Sequence, residues 1–482
     1  LERDFFRPAP NKNLDSTIVI DFIMYYDKFL ERKFNFMEKK LTEGSVFKAL
    51  LFFSLPYLLS YFLQTLYGMA DLFIIGQYNG VDSTTAVSVG SQVMNMFTVM
   101  IVGLAMGATV MIGRCVGSND YKQMAKVIGN TVTFFMGFSI VLTVVLLFFV
   151  ENIVSIVSTP KEAVSGTITY LIICFMGIPF IVAYNIISSI FRGMGDSKSP
   201  MYFIAVACAV NIIVDYIFIG VLKIGPAGAA LGTVLSQAIS VVVSLTVILK
   251  RKSGVKLTKS DFKPQKNVLR NVLKIGIPIS LQDGFIQVSF IIITIIANKR
   301  GLNDSAAVGI VEKIIGILFL VPSSMLSSVS ALSAQNIGAG KHNRASLTLR
   351  YAILITASFG IVMAILVQFT AGYAVGLFTN NSDVIVLGDE YLRSYVWDCA
   401  IAGIHFSFSG YFYAYGMSFI SFIHNLLSIV CVRIPFSYLL SKMYTDTLFP
   451  MGIASPAGSV LSVIICVIAF IWFRKNNKIK TM

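Results

Sequence analysis

The sequence predicts an all-α polytopic membrane protein with twelve transmembrane helices in two parallel six-helix repeats. Three observations carry this expectation. Of 482 residues, 56% are hydrophobic and only 13% charged, against about 25% charged in an average soluble domain. Apolar runs of about 20 residues, enough to cross a bilayer as a helix, recur along the whole length. The chain also resembles itself at a shift near 221 residues. A β-barrel is excluded, because barrels alternate residue by residue in short segments and lack continuous apolar runs.

The elements follow in order. Residues 1–36 are mixed in charge and hold no spanning run. They read as an N-terminal extension, disordered or not native, with Met37 as the natural start. No cleavable signal peptide is apparent, since the first apolar run is too long and lacks a cleavage site. The twelve spans fall at about 49–78, 84–112, 122–150, 165–191, 199–221, 228–250, 268–297, 305–335, 346–370, 386–415, 419–440 and 455–473. Pro56, Pro179, Pro278, Pro322 and Pro435 lie inside them, as membrane helices tolerate. Gly103 and Gly107 form a GxxxG that lets a neighbouring helix approach closely. The domains expected are an N-lobe at 37–250, a cytoplasmic basic linker at 251–274 and a C-lobe at 275–482.

The net charge of +14 has a membrane explanation, so no nucleic-acid partner is inferred. Alternate connections collect the cations: Arg114, Lys122 and Lys126, then Arg192 and Lys198, the linker, then Lys341, Arg344 and Arg350, and the tail from Arg474. By the positive-inside rule this side is cytoplasmic, with both termini. The six cysteines are scattered without a CxxC pair, and no disulfide or metal site is read from them.

The repeat is visible in ordered pairs. Gly80 meets Gly301, Gly117 meets Gly338, Tyr170–Leu171 meets Tyr391–Leu392, Phe191 meets Phe412 and Gly195 meets Gly416. Pro56 meets Pro278, and Gly-Thr-Val-Leu-Ser at 232–236 meets Gly-Ser-Val-Leu-Ser at 458–462. Six spans per half is even, so the halves share one orientation, and a substrate site between them is the default for a secondary transporter.

The most informative stretch is 205–220, AVACAVNIIVDYIFIG. Asn211 and Asp215 lie four apart, on one helix face. A carboxylate in mid-membrane costs about 2.5–3.5 kcal/mol on insertion scales and usually marks an ion or substrate path; a polar pair gluing two helices is the plainer alternative. The acids belong to the first half alone: Asn211 and Asp215 align with Val432 and Phe436, and Asp71 falls near Ile293, while Thr233 meets Ser459.

Several motifs resemble those of the multidrug and toxic compound extrusion (MATE) family: KALLFFSLPYLLSYFLQTLYGMADLFIIGQYNG at 48–80, FRGMGDSKSP at 191–200, NIIVDYIFI at 211–219, GPAGAALGTVLS at 225–236 and AQNIGAGK at 334–341. The resemblance runs from about Met37 to the C-terminus. It implies a two-lobed, cation-coupled antiporter exporting lipophilic, often cationic, drug-like compounds, working as a monomer in the cell membrane without a cofactor. It also implies a Na⁺ or H⁺ site in the N-lobe at Asp71, Asn211, Asp215 and Thr233. Two carboxyls, an amide and a hydroxyl are hard oxygen donors, and neighbouring acids raise each other's proton affinity, so the ion stays open. Substrate-cavity candidates are Gln64, Tyr67, Met69, Gln282, Glu312, Asp398 and Arg433. Glu312 followed by Lys313 also reads as a locally neutralised pair, Arg433 as a helix anchor, and Met or aromatics at helical spacing as packing. Neither Asp283 nor these two C-lobe acids maps onto the family branch that couples through its C-lobe. His342, His405 and His424 read as a loop residue and two polar points on helices.

The alternative cargo is a lipid-linked compound or metabolite carried by a related fold. An enzyme is not expected: HExxH, a nucleophile elbow and a phosphate-cradling loop with Lys are all missing from the sequence.

Overall fold

The structure, a computed structural model, describes residues 41–250 and 257–475. The expectations for residues 1–36 and for the extreme C-terminal tail lie outside the described residues. Among the described residues twelve long helical rods follow one another, with a short helix at Val150–Ile156 between the third and the fourth. In the first half they are α1 (Val46–Tyr78), α2 (Val81–Gly117), α3 (Tyr121–Phe148), α4 (Val164–Met176 and Ile178–Gly193), α5 (Lys198–Asp215, continued by Tyr216–Val221) and α6 (Gly225–Lys250). The second half holds α7 (Lys266–Asn298), α8 (Leu302–Leu318 and Leu320–Gly338) and α9 (His342–Gly376). It ends with α10 (Ser382–Tyr395 and Trp397–Ala414), α11 (Ser418–Leu427, Ser428–Arg433 and Ile434–Met443) and α12 (Phe449–Lys475).

Among the described residues ten rods are long and apolar enough to cross a membrane, and α4 makes an eleventh when its halves are joined across a 49° bend. The bend falls at Gly177, just before Pro179 at the start of the second half; proline lacks the N–H that would continue the ladder. The remaining rod, α10, is the least apolar, because Asp383, Asp389, Glu390, Arg393 and Asp398 all lie on it. It is broken after Tyr395.

The linker differs from the expected 251–274. Lys266 already begins α7, because the basic residues of its first turns stay exposed while Val268 and Val272 bury themselves. The described part of the connection, residues 257–265, is docked on α3. Asn130 Nδ2 donates to the Asp261 carbonyl at 3.0 Å, Gln265 N–H donates to Asn130 Oδ1 at 2.5 Å, and Thr133 Oγ1 donates to the Phe262 carbonyl at 2.9 Å. Asp261 receives the Thr258 N–H and hydroxyl at 2.8 and 2.7 Å, and these bonds hold its carboxyl below the usual aspartate range.

The halves meet mainly along α2, which packs on α7 and α8, and along α1, which packs on α8. The GxxxG is used as expected: a Cβ on Gly107 would collide with the Val272 carbonyl, and one on Gly103 would stand 2.9 Å from Ser280 Cα. At the end carrying Arg114, the last turns of α2 and α8 cross. A Cβ on Gly117 would strike the Gln335 carbonyl, and one on Gly338 would strike the Arg114 carbonyl. Two side chains fasten this crossing. Arg114 donates from Nε and Nη2 to the Ala414 carbonyl at 3.0 and 2.7 Å, and Gln335 Nε2 donates to the Gly193 carbonyl at 3.0 Å. Ala414 and Gly193 end α10 and α4, each followed by a turn through a positive-φ glycine, Gly416 and Gly195.

The segment before α1 crosses to the other half. Lys341 Nζ donates to the Thr42 carbonyl at 3.0 Å, and Arg344 donates to the Gly44 and Glu43 carbonyls at 2.8 and 3.2 Å. Leu41 N–H donates to Gln335 Oε1 at 3.3 Å.

Candidate functional site

Three packed helices build the N-lobe site. α1 brings Asp71, α5 brings Asn211 and Asp215 on one face, and α6 brings Thr233. Asp71 is 3% exposed, and Asn211 and Asp215 are fully enclosed. Thr233 Oγ1 donates to Asp71 Oδ2 at 3.2 Å, and Asp215 and Asn211 face the same carboxyl. All four residues singled out in the sequence thus converge.

Five polar atoms of this cluster have no protein partner: Asp71 Oδ1, both amide atoms of Asn211 and both carboxyl oxygens of Asp215. A buried polar atom left unpaired is costly, and a buried carboxylate far more so. Four unpaired oxygens and a hydroxyl within one enclosed pocket form a donor set for a hard monovalent cation or for a proton shared between the acids.

Two features escaped the sequence reading. Gly232 opens the space: a Cβ there would run into Asp215 Oδ1 and lie 3.6 Å from Asn211 Nδ2. Directly after Asp215, α5 widens into a π-helical turn over Tyr216–Val221, an irregularity common at functional sites. The first had a visible signal, since Gly232 opens one of the repeated motifs. The second had none.

The substrate-cavity candidates do not form one group. Gln64 and Tyr67 lie near Tyr184. Met69 is half-exposed and, two residues before Asp71, stands on the opposite face of α1. Gln282 is buried and accepts from the Tyr413 hydroxyl at 3.2 Å. Glu312, Asp398 and Arg433 gather inside the C-lobe. The reading of Glu312 and Lys313 as a neutralised pair is corrected: adjacent helical residues diverge by about 100°, so Lys313 is exposed while Glu312 turns toward Arg433. His405 and His424 are buried with rings 5.5 Å apart, bonded to Ser459 and Ser409 at 3.4 and 3.1 Å.

A polytopic bundle of two like halves, with two acids, an amide and a hydroxyl enclosed together in the first of them, is the architecture of a membrane transporter. The MatE family model matches residues 56–217 and again residues 278–439, one match per half, beginning at Pro56 and Pro278. The chain therefore belongs to the MatE family. It is 30% identical over 412 residues to the probable multidrug resistance protein YpnP of Bacillus subtilis (strain 168), covering 86% of this chain and 92% of that one. It is 25% identical over 375 residues to the multidrug export protein MepA of Staphylococcus aureus (strain MSSA476), covering 78% and 83%. Its fold matches a solved structure described as the outward-facing conformation of a multidrug resistance MATE family transporter of the MOP superfamily, with TM-score 0.84 and 22% identity over 92% of this chain and 98% of that one.

Proposed function

We propose that the protein is a multidrug efflux transporter of the cell membrane that exchanges lipophilic, often cationic, small molecules for Na⁺ or H⁺ at the N-lobe cluster. The observation that carries this is the enclosed set of unpaired oxygens on Asp71, Asn211 and Asp215, in a chain whose relatives include a multidrug export protein. Asp71 and Asp215 hold the cation, Asn211 and Thr233 complete its shell, and substrate passes between the lobes of a single chain. The crossed end bearing Arg114 and Gln335 is the cytoplasmic one by its charge, so the conformation described is closed to the cytoplasm.

Coupling requires that the cation bind the two access states unequally. α1, α5 and α6 each contribute to the cluster, so a bound cation favours the packing that brings all three together. The experiment is efflux of a panel of cationic dyes from proteoliposomes under separately imposed Na⁺ and pH gradients. Dye movement driven by one of these gradients and lost in Asp215→Asn supports the reading; transport indifferent to both gradients overturns it.

A further inference from the structure

Arg192 counts among the cytoplasmic cations by sequence, yet the fold does not leave it in water. It is 6% exposed and sits on the last turn of α4, beside Gly193, whose carbonyl accepts from Gln335 of the other lobe. Its Cζ lies 4.4 Å above the ring of Tyr57 on α1, a contact that offsets part of the cost of burying a cation. Among the described residues no ion pair and no hydrogen bond reaches the guanidinium. The acid nearest in sequence, Asp196, caps α5 instead, accepting from Lys198 N–H and Ser199 N–H, both at 3.0 Å, and from the Ser199 hydroxyl at 2.6 Å. The one acid on α1 is Asp71, fourteen residues beyond Tyr57, or about 21 Å along the helix.

The polar groups around it are in the same condition. Arg192 Nε, the Tyr57 hydroxyl and the Ser188 hydroxyl are all buried without a partner. Ser188 lies four residues before Arg192, on the same face of α4. Across the lobe interface α8 runs antiparallel to α1, and the two are joined where the Tyr61 and Ser327 hydroxyls meet at 2.9 Å. One turn nearer the crossing, at the level of Tyr57, α8 carries Ser330, also buried and unpartnered. A guanidinium and three hydroxyls from both lobes thus gather at one level. Every one of these groups can donate, and the guanidinium cannot accept. The complement of such a set is an oxyanion, which the planar fork of arginine takes in two parallel bonds.

We propose that Arg192 recognises anions on the substrate path: it takes the carboxylate, sulfonate or phosphate head of an amphiphilic compound, with the Tyr57 and Ser188 hydroxyls completing the shell. It rests on the passage of substrate between the lobes proposed above. In the closed conformation Tyr57 shields the guanidinium and the crossing covers it. Separation of α1 and α4 from α8 uncovers it early, because it is one residue from the bond between Gly193 and Gln335. A compound entering from the cytoplasm meets this charge before it reaches the level of Asp71, and its apolar body faces the rings of Tyr57 and Tyr61, 6.3 Å apart. The guanidinium keeps its proton throughout the accessible pH range, and the distance to Asp71 prevents the coupling cluster from neutralising it. The cargo therefore extends to lipophilic anions and zwitterions.

The test is fluorescence anisotropy on the purified full chain in phosphatidylcholine nanodiscs, with two dyes that share a xanthene frame: anionic fluorescein and cationic rhodamine 123. The wild type should bind fluorescein saturably. Arg192→Gln should weaken fluorescein about tenfold or more and bind rhodamine 123 more tightly, because a like charge has gone; Arg192→Lys should fall between, keeping the charge without the fork. An arginine that only holds helices together would weaken both dyes alike when replaced. That result, or no saturable fluorescein binding by the wild type, overturns the proposal. Competition separates the sources of the oxyanion: naphthalene-2-sulfonate should displace fluorescein where inorganic phosphate and added phosphatidylglycerol do not, and equal displacement by either of these overturns the assignment to cargo. Should Arg192→Gln fail to fold, Tyr57→Phe and Ser188→Ala decide; each should weaken fluorescein several-fold, and unchanged binding in both overturns the proposal. Failure of the efflux reading shows separately, as a wild type that binds fluorescein through Arg192 but moves neither dye under either gradient.

Discussion

Arg114 and Gln335 occupy the same position in the two repeats, 221 residues apart, and each donates to the carbonyl that ends the opposite lobe's α4 or α10, Ala414 or Gly193. Those two carbonyls are themselves 221 residues apart. The closure is thus one contact made twice around a pseudo-twofold axis, with a charged donor on one side and a neutral one on the other.

The charged half should hold more tightly. Arg114→Met removes a charge-assisted bond of about 1.5–3 kcal/mol, and should move the equilibrium toward the state open at this end by roughly ten- to a hundredfold. Gln335→Met removes a neutral bond of about 0.5–1.5 kcal/mol, a smaller shift in the same direction. Spin-label distances between the ends of α2 and α10 read both. Equal shifts, or none in Arg114→Met, would remove these side chains from the closure.

The crossing glycines make a steric version of the same test. Gly117→Ala and Gly338→Ala each place a methyl on the facing carbonyl, and overpacking of this kind costs about 1–3 kcal/mol. The variants should resemble one another in efflux rate and in labelling of cysteines placed near the crossing, because they are partners. A tolerated alanine at either position contradicts the geometry.

At the N-lobe cluster, Asp71→Asn and Asp215→Asn should each abolish gradient-driven efflux at matched membrane expression, and the double variant should be little worse than either single one, since they act as a unit. Gly232→Ala tests the same pocket without replacing any of the four side chains: its methyl runs into Asp215 Oδ1. It should weaken cation binding in an ²²Na⁺ or proton-uptake assay. Full binding in Gly232→Ala would mean that the ion does not sit between α5 and α6.

The docked linker carries its own pH dependence. The Thr258 bonds depress the Asp261 pKa in the folded chain, so the stabilisation is complete above the unfolded value of about 3.9 and fades as pH falls through the lower folded value. Hydrogen exchange in residues 258–265 should therefore stay slow at neutral pH and quicken only under strong acid. In Thr258→Val the acid onset should move upward. Protection that is independent of both pH and Thr258 would assign the docking to Asn130 alone.

The sequence displays what rests on composition and periodicity. The spans, the duplicated halves and the GxxxG on α2 all follow from apolar length and ordered glycines. The converging acids were legible because a carboxylate in an apolar helix has so few uses, and because a resemblance tied Asp71 to Asp215 across a large gap in sequence. The break of α10 and the early start of α7 depend on where charged side chains can reach water, which a span-length pattern does not register. The face taken by Met69 depends on which neighbours α1 has. The partners of Arg114 and Gln335 are backbone carbonyls of Ala414 and Gly193, and a carbonyl looks alike in every residue, so no motif marks such a bond.

The strap at Leu41–Gly44 sets a schedule. Its partners Gln335, Lys341 and Arg344 are synthesised about 300 residues later, which at about 5–20 residues per second is a delay of tens of seconds. During that interval the acids of α1, α5 and α6 can already meet, because every helix of their pocket precedes the linker. The pocket of Asp71, Asn211 and Asp215 can thus be complete before its lobe has anything to close against, and the first described residues of the chain are among the last to be fastened.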